Sequence, residues 1–295
     1  MHDEASRRRT MWQDLLTRGG PTGVSAAVLR ELGIYGGAQG IWVDKARTGA
    51  VTVDGHGVTV GLLHTGARYA DEMVEDGMIY HYPTTRRPPS RDEAEVVATK
   101  HARTLGLPVF VISKPTHTTR DVHLGWVVDW DDKQRVFAVV FRETPPPIAT
   151  KTEQHTFELK TSARQKRVSV ASARPGQAIF RFRVLKRYGA ECVLCGLKHP
   201  AVLDAAHLCP VDEGGTDDPR NGLPLCATHH RAFDAGLLGI EPDSLCVRIV
   251  GTDYAALGIT RLTLDLQEPP HAEALGWAWR RWQQGREQDQ NEGGR

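Results

Sequence analysis

The sequence contains no run of about 18 apolar residues, which is the length that a membrane-spanning helix requires. Its first residues, with three arginines at 7–9, also lack the apolar segment of a secretory signal peptide. A disordered chain is excluded, because 40% of the residues are hydrophobic and 25% are charged. We therefore expect a folded cytoplasmic protein without a membrane partner, and 295 residues are enough for two domains.

Cysteine is absent before residue 192, and all five cysteines lie beyond that point, at 192, 195, 209, 226 and 246. In a reducing compartment, clustered cysteines are more often metal ligands than disulfide partners. The odd number agrees with a four-coordinate metal site that uses only some of them.

The chain has almost no net charge, +1 at pH 7, but its basic residues are unevenly placed. Residues 151–190 include ten lysines and arginines against two acidic residues. Such a surplus is typical of a surface that follows nucleic-acid phosphates. A solvated linker followed by an exposed helix face is the alternative, and the charge alone favours neither.

The apolar pattern predicts a mostly β domain over residues 1–142, a basic linker over 143–173 and a second domain over 174–295. Short apolar runs broken by glycines indicate strands at 40–43, 50–53, 58–63, 78–82, 109–112, 125–128 and 136–141. Helices are predicted at 11–16, 92–105, 178–188 and 273–284. The run of prolines at 145–147 marks the start of the linker.

Two knuckles with metal-ligand spacing stand in the second domain. Cys192-x-x-Cys195 is followed, after thirty residues, by Cys226-x-x-His229. Four such ligands surround one tetrahedral Zn²⁺, and a site closed by four protein ligands is structural rather than catalytic. We therefore predict a structural zinc held by these four residues.

The residues between and after the knuckles are more than a structural zinc needs. Residues 203–207 read LDAAH, residues 214–221 read GGTDDPRN, and residues 221–234 read NGLPLCATHHRAFD. Over roughly 174–240 the sequence closely resembles the HNH endonuclease family. The resemblance implies a ββα-metal core with His207 at the end of the first strand, Asn221 in the returning segment and His230 on the helix.

The resemblance also implies catalytic roles for these residues. Phosphodiester hydrolysis needs a water nucleophile, a group that takes its proton and a cation that stabilises charge on the phosphate. His207 corresponds to the family's general base, and a neutral histidine suits that step near pH 7. Asn221 either braces the loop that carries His207 or ligates the metal. His230 and Asp234, four residues apart on a helix, suit two ligands of one divalent cation, Mg²⁺, Mn²⁺ or another transition metal.

The sequence departs from the family immediately before the general base. Many members have a histidine or an aspartate there as a further metal ligand, and this chain has Ala206. Asp204, two residues earlier, is a poor geometric substitute. The alternative interpretation of the whole segment is a zinc ribbon that binds DNA or protein, in which His207 is structural.

Glycines and tyrosines in the first domain follow a second family pattern. Residues 33–42 read GIYGGAQGIW, and residues 66–82 read GARYADEMVEDGMIYHY. Over roughly 30–142 the sequence resembles the SRA (or YDG) domain, which recognises 5-methylcytosine by flipping it out of the duplex. The resemblance implies a twisted β-barrel, although Tyr69 lies one residue further from Gly77 than in the family.

The resemblance gives roles to particular residues of this domain. Tyr69 and Tyr82 correspond to the stacking walls for the flipped base. Asp71, or Glu72 in the alternative register, would bond the cytosine edge, because a carboxylate accepts from the exocyclic amine. Loops at 48–57 and 84–91 are candidates to fill the vacated stack. Core packing of Tyr82 is the alternative to a base-binding role.

Together these features predict an α+β protein that is a modification-dependent restriction endonuclease. An SRA-like domain would bind double-stranded DNA that contains 5-methylcytosine or 5-hydroxymethylcytosine, and an HNH domain would cut nearby. Because one HNH site cuts one strand, we expect a homodimer at least on DNA. The alternatives are a nuclease whose first domain senses another ligand or sequence, and a non-catalytic zinc module that binds modified DNA.

Overall fold

The computed structural model describes residues 2–36, 40–64, 72–114, 116–146, 156–160 and 176–292. The chain divides into two units, residues 1–151 and residues 152–295. Residues 156–160, which the sequence analysis assigned to the linker, pack within the second unit.

The first unit is built on one mixed sheet. Its strands are β1 (Val24–Ser25), β2 (Ile41–Val43), β3 (Thr59–His64), β4 (Glu72–Val74), β5 (Gly77–His81), β6 (Val109–Ser113), β7 (Thr119–Asp131) and β8 (Val136–Phe141). Their order is β2-β3-β6-β7-β8-β5-β4, with β1 beside β7. Among these pairs, only β3 and β6 run parallel. The chain between these two strands includes the helix Pro89–Thr104, which provides the crossover that a parallel pair needs.

Among the described residues, four helices accompany this sheet, namely α1 (His2–Thr17), α2 (Ala26–Glu31), α3 (Lys45–Thr48) and α4 (Pro89–Thr104). Helix α1 is fixed by Arg8, which is fully buried and donates from Nη1 to the backbone oxygens of Thr59 and Pro108 at 2.7 and 2.6 Å. Glu4, one turn earlier, pairs with the same guanidinium at 2.8 Å. A buried charge of this kind is tolerated because it is both paired and hydrogen-bonded.

Two expectations for the first unit are wrong in detail. The predicted barrel is an open sheet in the described residues, where β2 and β4 lie at the two ends and pair only with β3 and β5. The strand predicted at 50–53 is replaced by α3 and a 3₁₀ turn at Gly49–Val51. The Asp44 side chain accepts from the backbone N–H of Arg47 and caps α3, and α3 leads directly into the 3₁₀ turn that covers the start of the predicted strand.

The second unit is an α+β assembly around two short hairpins. Its strands are β9 (Leu203–His207), β10 (Gly222–Cys226), β11 (Leu238–Ile240) and β12 (Val247–Ile249), and its helices are α5 (Gln177–Tyr188), α6 (Ala227–Asp234), α7 (Tyr254–Leu257) and α8 (Ala272–Glu292). Single 3₁₀ turns occur at Pro200–Val202, Val211–Glu213 and Pro219–Asn221. One apolar core joins the hairpins to these helices. Along the described ranges, every helix is too short or too polar to cross a bilayer.

Candidate active site and metal centre

The site is organised by the antiparallel hairpin of β9 and β10. In its register His207 lies opposite Gly222, and Asp204 lies opposite Leu225. A Cβ at residue 222 would come 2.5 Å from Cζ of Phe180, so only glycine lets α5 approach the hairpin this closely. The hairpin therefore presents the end of β9 to α5.

The four predicted zinc ligands come together next to this hairpin. Their ligand atoms all lie within 4.8 Å of one another, and Nδ1 of His229 is 3.3 Å from Sγ of Cys192 and 3.2 Å from Sγ of Cys226. Ligand atoms on one tetrahedral Zn²⁺ are separated by about 3.3–3.8 Å, given bonds of about 2.0–2.3 Å. The cluster thus has the composition and the spacing of a structural zinc site.

The surroundings of the cluster also suit a metal. Nε2 of His229 is 3.0 Å from the backbone oxygen of Leu257 in α7; the nitrogen that donates there carries the proton, which leaves Nδ1 as the ligand. Burial, together with the neighbouring Cys192 thiol, raises the pKa of Cys195 to about 12. Without a cation this thiol is protonated, and metal binding releases the proton.

His207 is held from two sides. Its Nε2 lies 3.0 Å from Oδ1 of Asp217, and its ring stacks on that of Phe180 with centroids 3.7 Å apart and planes 10° apart. The imidazole remains partly accessible, with 17% of its side chain exposed. A histidine that is oriented yet open to solvent is suited to exchange a proton with a bound water.

Asn221 is fully buried, and its side-chain amide is hydrogen-bonded to the backbone of the loop that follows β9. Oδ1 accepts from the backbone N–H of Cys209, and Nδ2 donates to the backbone oxygens of Cys209 and Thr216, each at 2.9 Å. These three bonds close the loop that runs from Cys209 to Asn221. The side chain is therefore arranged as a brace, and its oxygen is engaged by a backbone donor.

His230 lies on α6 directly after the zinc ligand His229. Its Nδ1 is 3.2 Å from Oδ2 of Asp204, with hydrogen-bond geometry, and its Nε2 is 3.4 Å from Oδ2 of Asp234. A neutral imidazole offers one nitrogen as a ligand while the other carries a proton. Nε2 and the Asp234 carboxylate form a donor pair of the type that binds divalent cations.

Sequence reasoning missed two residues at this site and weighed a third only as a substitute metal ligand. Asp217 and Phe180 contact His207, and Asp204, the third, contacts His230. Asp204 and Ala206, two residues apart, share one face of β9, because side chains alternate along a strand. The sequence therefore indicates which face of β9 Asp204 occupies. It does not indicate that the partner of Asp204 is His230, which lies 26 residues away on a helix.

The residues predicted for base binding are only partly described. Tyr69 and Asp71 lie outside the described residues, and so does the side chain of Glu72. Tyr82 directly follows β5 and is 4% exposed, with its ring 4.4 Å from that of Phe137. Its hydroxyl donates to Asp132 at 2.9 Å. Burial and this carboxylate hold the pKa of Tyr82 well above its ordinary value.

One arginine of the predicted loop at 84–91 is engaged within its own unit. The Arg87 guanidinium bonds Asp92 and Glu95 at 2.7–2.8 Å, and these interactions raise its pKa above the usual value. Arg87 therefore ties the loop at 84–91 to the first turns of α4.

The second unit thus contains a ββα arrangement of hairpin and helix, with a Cys₃His cluster and a histidine at the end of the first strand. This is the architecture of a zinc-stapled nuclease domain. Residues 192–241 match the family model described as HNH endonuclease. This segment of the second unit, 50 of the chain's 295 residues, is therefore similar to HNH endonucleases.

Comparison with other proteins gives further similarities at low levels. No curated protein matches the chain. The chain is 19% identical to the "Modification dependent TagI restriction endonuclease" over 88% of this chain and 92% of that one, with a TM-score of 0.36. The phosphorothioation-dependent restriction endonuclease ScoMcrA is 15% identical over 89% of this chain and 59% of that one, with a TM-score of 0.28.

The "SUVH5 SRA" domain in complex with hemimethylated CG DNA is also similar to the chain. It is 20% identical over 43% of this chain and 92% of that one, with a TM-score of 0.29. All three TM-scores lie below the level at which a fold or an activity can be transferred from one protein to another.

Proposed function

We propose that the protein is a modification-dependent DNA endonuclease. Its second unit hydrolyses phosphodiester bonds, and its first unit binds double-stranded DNA that contains 5-methylcytosine or 5-hydroxymethylcytosine. The observation that carries the nuclease half is the position of His207. It ends β9 inside the HNH-matching segment, paired with Asp217 and stacked on Phe180.

In this reaction His207 is the general base. Its ring takes a proton from a water molecule, and the water oxygen attacks the phosphorus atom. Asn221 keeps the loop after His207 closed through its three backbone bonds. The orientation of the base is therefore set before DNA binds.

A divalent cation is required beside the scissile phosphate. Nε2 of His230 and the Asp234 carboxylate would hold it, while Nδ1–H of His230 donates to Asp204 and fixes the tautomer, as outer carboxylates do for metal-bound histidines. The cation supplies charge stabilisation on the phosphate oxygens. The carboxylate oxygen suits Mg²⁺ and Mn²⁺ and the imidazole nitrogen suits transition metals, so the cation is Mg²⁺, Mn²⁺ or another transition metal.

The methylcytosine half of the proposal is supported by the SRA-like sequence pattern. In this proposal Tyr69 stacks on a flipped base and Asp71 bonds its Watson–Crick edge. Tyr82 is the second stacking wall, a role in which its ring leaves its packing on Phe137. Because one nuclease site cuts one strand, two copies of the chain act together on a duplex. We place the protein in the cytoplasm, where reducing conditions keep the cysteine thiols available for zinc.

Plasmid cleavage tests both halves of the proposal. Methylated and unmethylated copies of one plasmid are incubated with the protein and Mg²⁺ or Mn²⁺, with a chelator as the metal-free arm. We expect faster cutting of the methylated copy and none in chelator. His207→Ala should cut about 10²–10⁴-fold more slowly, whereas His199→Ala, which removes an exposed histidine of the same unit, should cut like the wild type.

The outcomes separate the alternative functions. Equal cutting of both plasmids would leave the nuclease and remove the methylcytosine reader. Binding of methylated DNA without any nicking would identify a non-catalytic zinc module. Near wild-type cutting by His207→Ala would remove His207 from the role of general base.

A further inference from the structure

Asp217 is the carboxylate in direct contact with the proposed general base. We propose that Asp217 is a positioning residue that fixes the ring and the tautomer of His207, so that Nδ1 is the nitrogen that takes the proton. This role rests on the nuclease function proposed above. It extends that function to a residue that lies in a loop between the two strands of the hairpin.

The geometry assigns a direction to the hydrogen bond. An ionised carboxylate only accepts hydrogen bonds, so the 3.0 Å contact between Asp217 Oδ1 and His207 Nε2 places the proton on Nε2. The lone pair of the neutral ring is then on Nδ1. Phe180 covers one face of the imidazole at 3.7 Å, so rotation of the ring away from Asp217 would break both contacts.

Asp217 is itself held in place by the backbone around it. A Cβ at Gly176, which precedes α5 with φ +102°, would lie 2.6 Å from Asp217 Oδ2, so only glycine permits this approach. The preceding Thr216 donates from its backbone N–H to Leu159 at 3.2 Å and accepts from Asn221 at 2.9 Å. The loop therefore delivers the carboxylate to His207 without a large loss of conformational entropy during the reaction.

The arrangement has a chemical consequence during proton transfer. The O–H bond of water breaks, its proton moves to Nδ1, and the oxygen forms a bond to phosphorus. The bond from phosphorus to the leaving sugar oxygen then breaks, and that oxygen takes a proton from solvent. His207 becomes positively charged beside Asp217, and this charge pair stabilises the step in the way that the aspartate of a Ser-His-Asp triad does.

The variant Asp217→Asn tests this role with little change in shape. An amide can donate to Nε2 and thereby favour the opposite tautomer, a change that lowers kcat by about 10⁴-fold in serine proteases. We expect single-turnover cleavage to fall about 10²–10⁴-fold while the Kd for DNA changes by less than about twofold. The matched control is Asp212→Asn, which removes an exposed carboxylate of the same loop and should leave the rate unchanged.

A double-mutant cycle distinguishes positioning from general structural support. In the His207→Ala background, Asp217→Asn should cause no further loss of rate, because Asp217 acts only through His207. In a second variant, Asp217→Ala, added formate should restore part of the rate by occupying the vacated carboxylate position. Rescue by formate also shows that this variant is folded.

Each result decides the question. Near wild-type cleavage by Asp217→Asn, or equal losses from that change with and without His207, would overturn the positioning role and leave the nuclease intact. No cleavage by the wild-type protein on any DNA with Mg²⁺ or Mn²⁺ would overturn the proposed function, and the role of Asp217 with it.

Discussion

Replacement of Asn221 is the strongest test of how the loop after β9 is held together. Asn221→Ala removes three hydrogen bonds and leaves the backbone N–H and C=O of Cys209 and the C=O of Thr216 without that partner. A buried polar group left unsatisfied costs about 1–3 kcal/mol. For this cluster we expect a loss of about 3–5 kcal/mol in the free energy of unfolding, against a total of about 5–15 kcal/mol for a typical protein.

The loss should be visible in both stability and activity. At roughly 2–4 °C per kcal/mol for units of about 150 residues, the melting temperature of the second unit should fall by about 6–20 °C. DNA cleavage well below that temperature should also fall, because the loop that carries Asp217 loses its closure. A melting temperature within about 2 °C of the wild type would refute the proposal that the Asn221 side chain holds this loop closed.

Asn221→Asp separates the donor function of the amide from its shape. The introduced carboxyl can still accept from Cys209 N–H, but its second oxygen faces two carbonyl oxygens and has a proton to donate only when neutral. Its pKa in the folded protein is therefore raised above the unfolded value of about 3.9. The stability that its neutral form contributes is fully present below that value and is lost as the pH rises through the folded pKa.

The expected result is a pH-dependent defect in one variant only. Relative to the wild type, Asn221→Asp should be least stable at pH 8 and should recover part of the loss towards pH 5. Asn221→Ala is the matched control, and its deficit should stay constant over the same range. Denaturant unfolding at several pH values measures both, and parallel curves for the two variants would contradict the assigned hydrogen-bond directions.

Three further predictions follow from the same contacts. Cys226→Ser should lower the zinc content and the melting temperature together, because a zinc-stapled unit folds with its metal; a stable variant with full zinc would contradict the structural assignment. Gly222→Ala should displace Phe180 from His207, since the added Cβ would lie 2.5 Å from Phe180 Cζ, and should slow cleavage at unchanged DNA affinity; unaltered kinetics would show that the stacking is dispensable. Tyr82→Ala should reduce the preference for methylated over unmethylated duplex about five- to 150-fold, from roughly 1–3 kcal/mol of base stacking, whereas Tyr82→Phe should retain it; equal loss of binding to both duplexes would make this tyrosine a core residue only.

The parts of the fold that sequence predicts well are those with local causes. The helix predicted at 92–105 is present as α4, and the strands predicted at 109–112 and 136–141 are present as β6 and β8. Their apolar periodicity is a property of the segment itself. The zinc cluster was predictable for the same reason, because each knuckle fixes two ligands within a single turn of the chain.

The parts that sequence could not predict depend on distant contacts. Phe180 reaches His207 from a helix 27 residues earlier, and nothing in the local pattern around Phe180 distinguishes it from an ordinary core residue. The pairing of Asp217 with His207 depends on the closure of a loop whose length is compatible with many conformations.

The adjacency of His229 and His230 limits how this domain can change during evolution. Neighbouring residues on an α-helix point about 100° apart, so α6 directs His229 to the Cys₃His cluster and the next residue, His230, to Asp234. An insertion or deletion between Cys226 and Asp234 would rotate one set of ligands away from its partners. The spacing across α6 should therefore stay constant among descendants of this sequence.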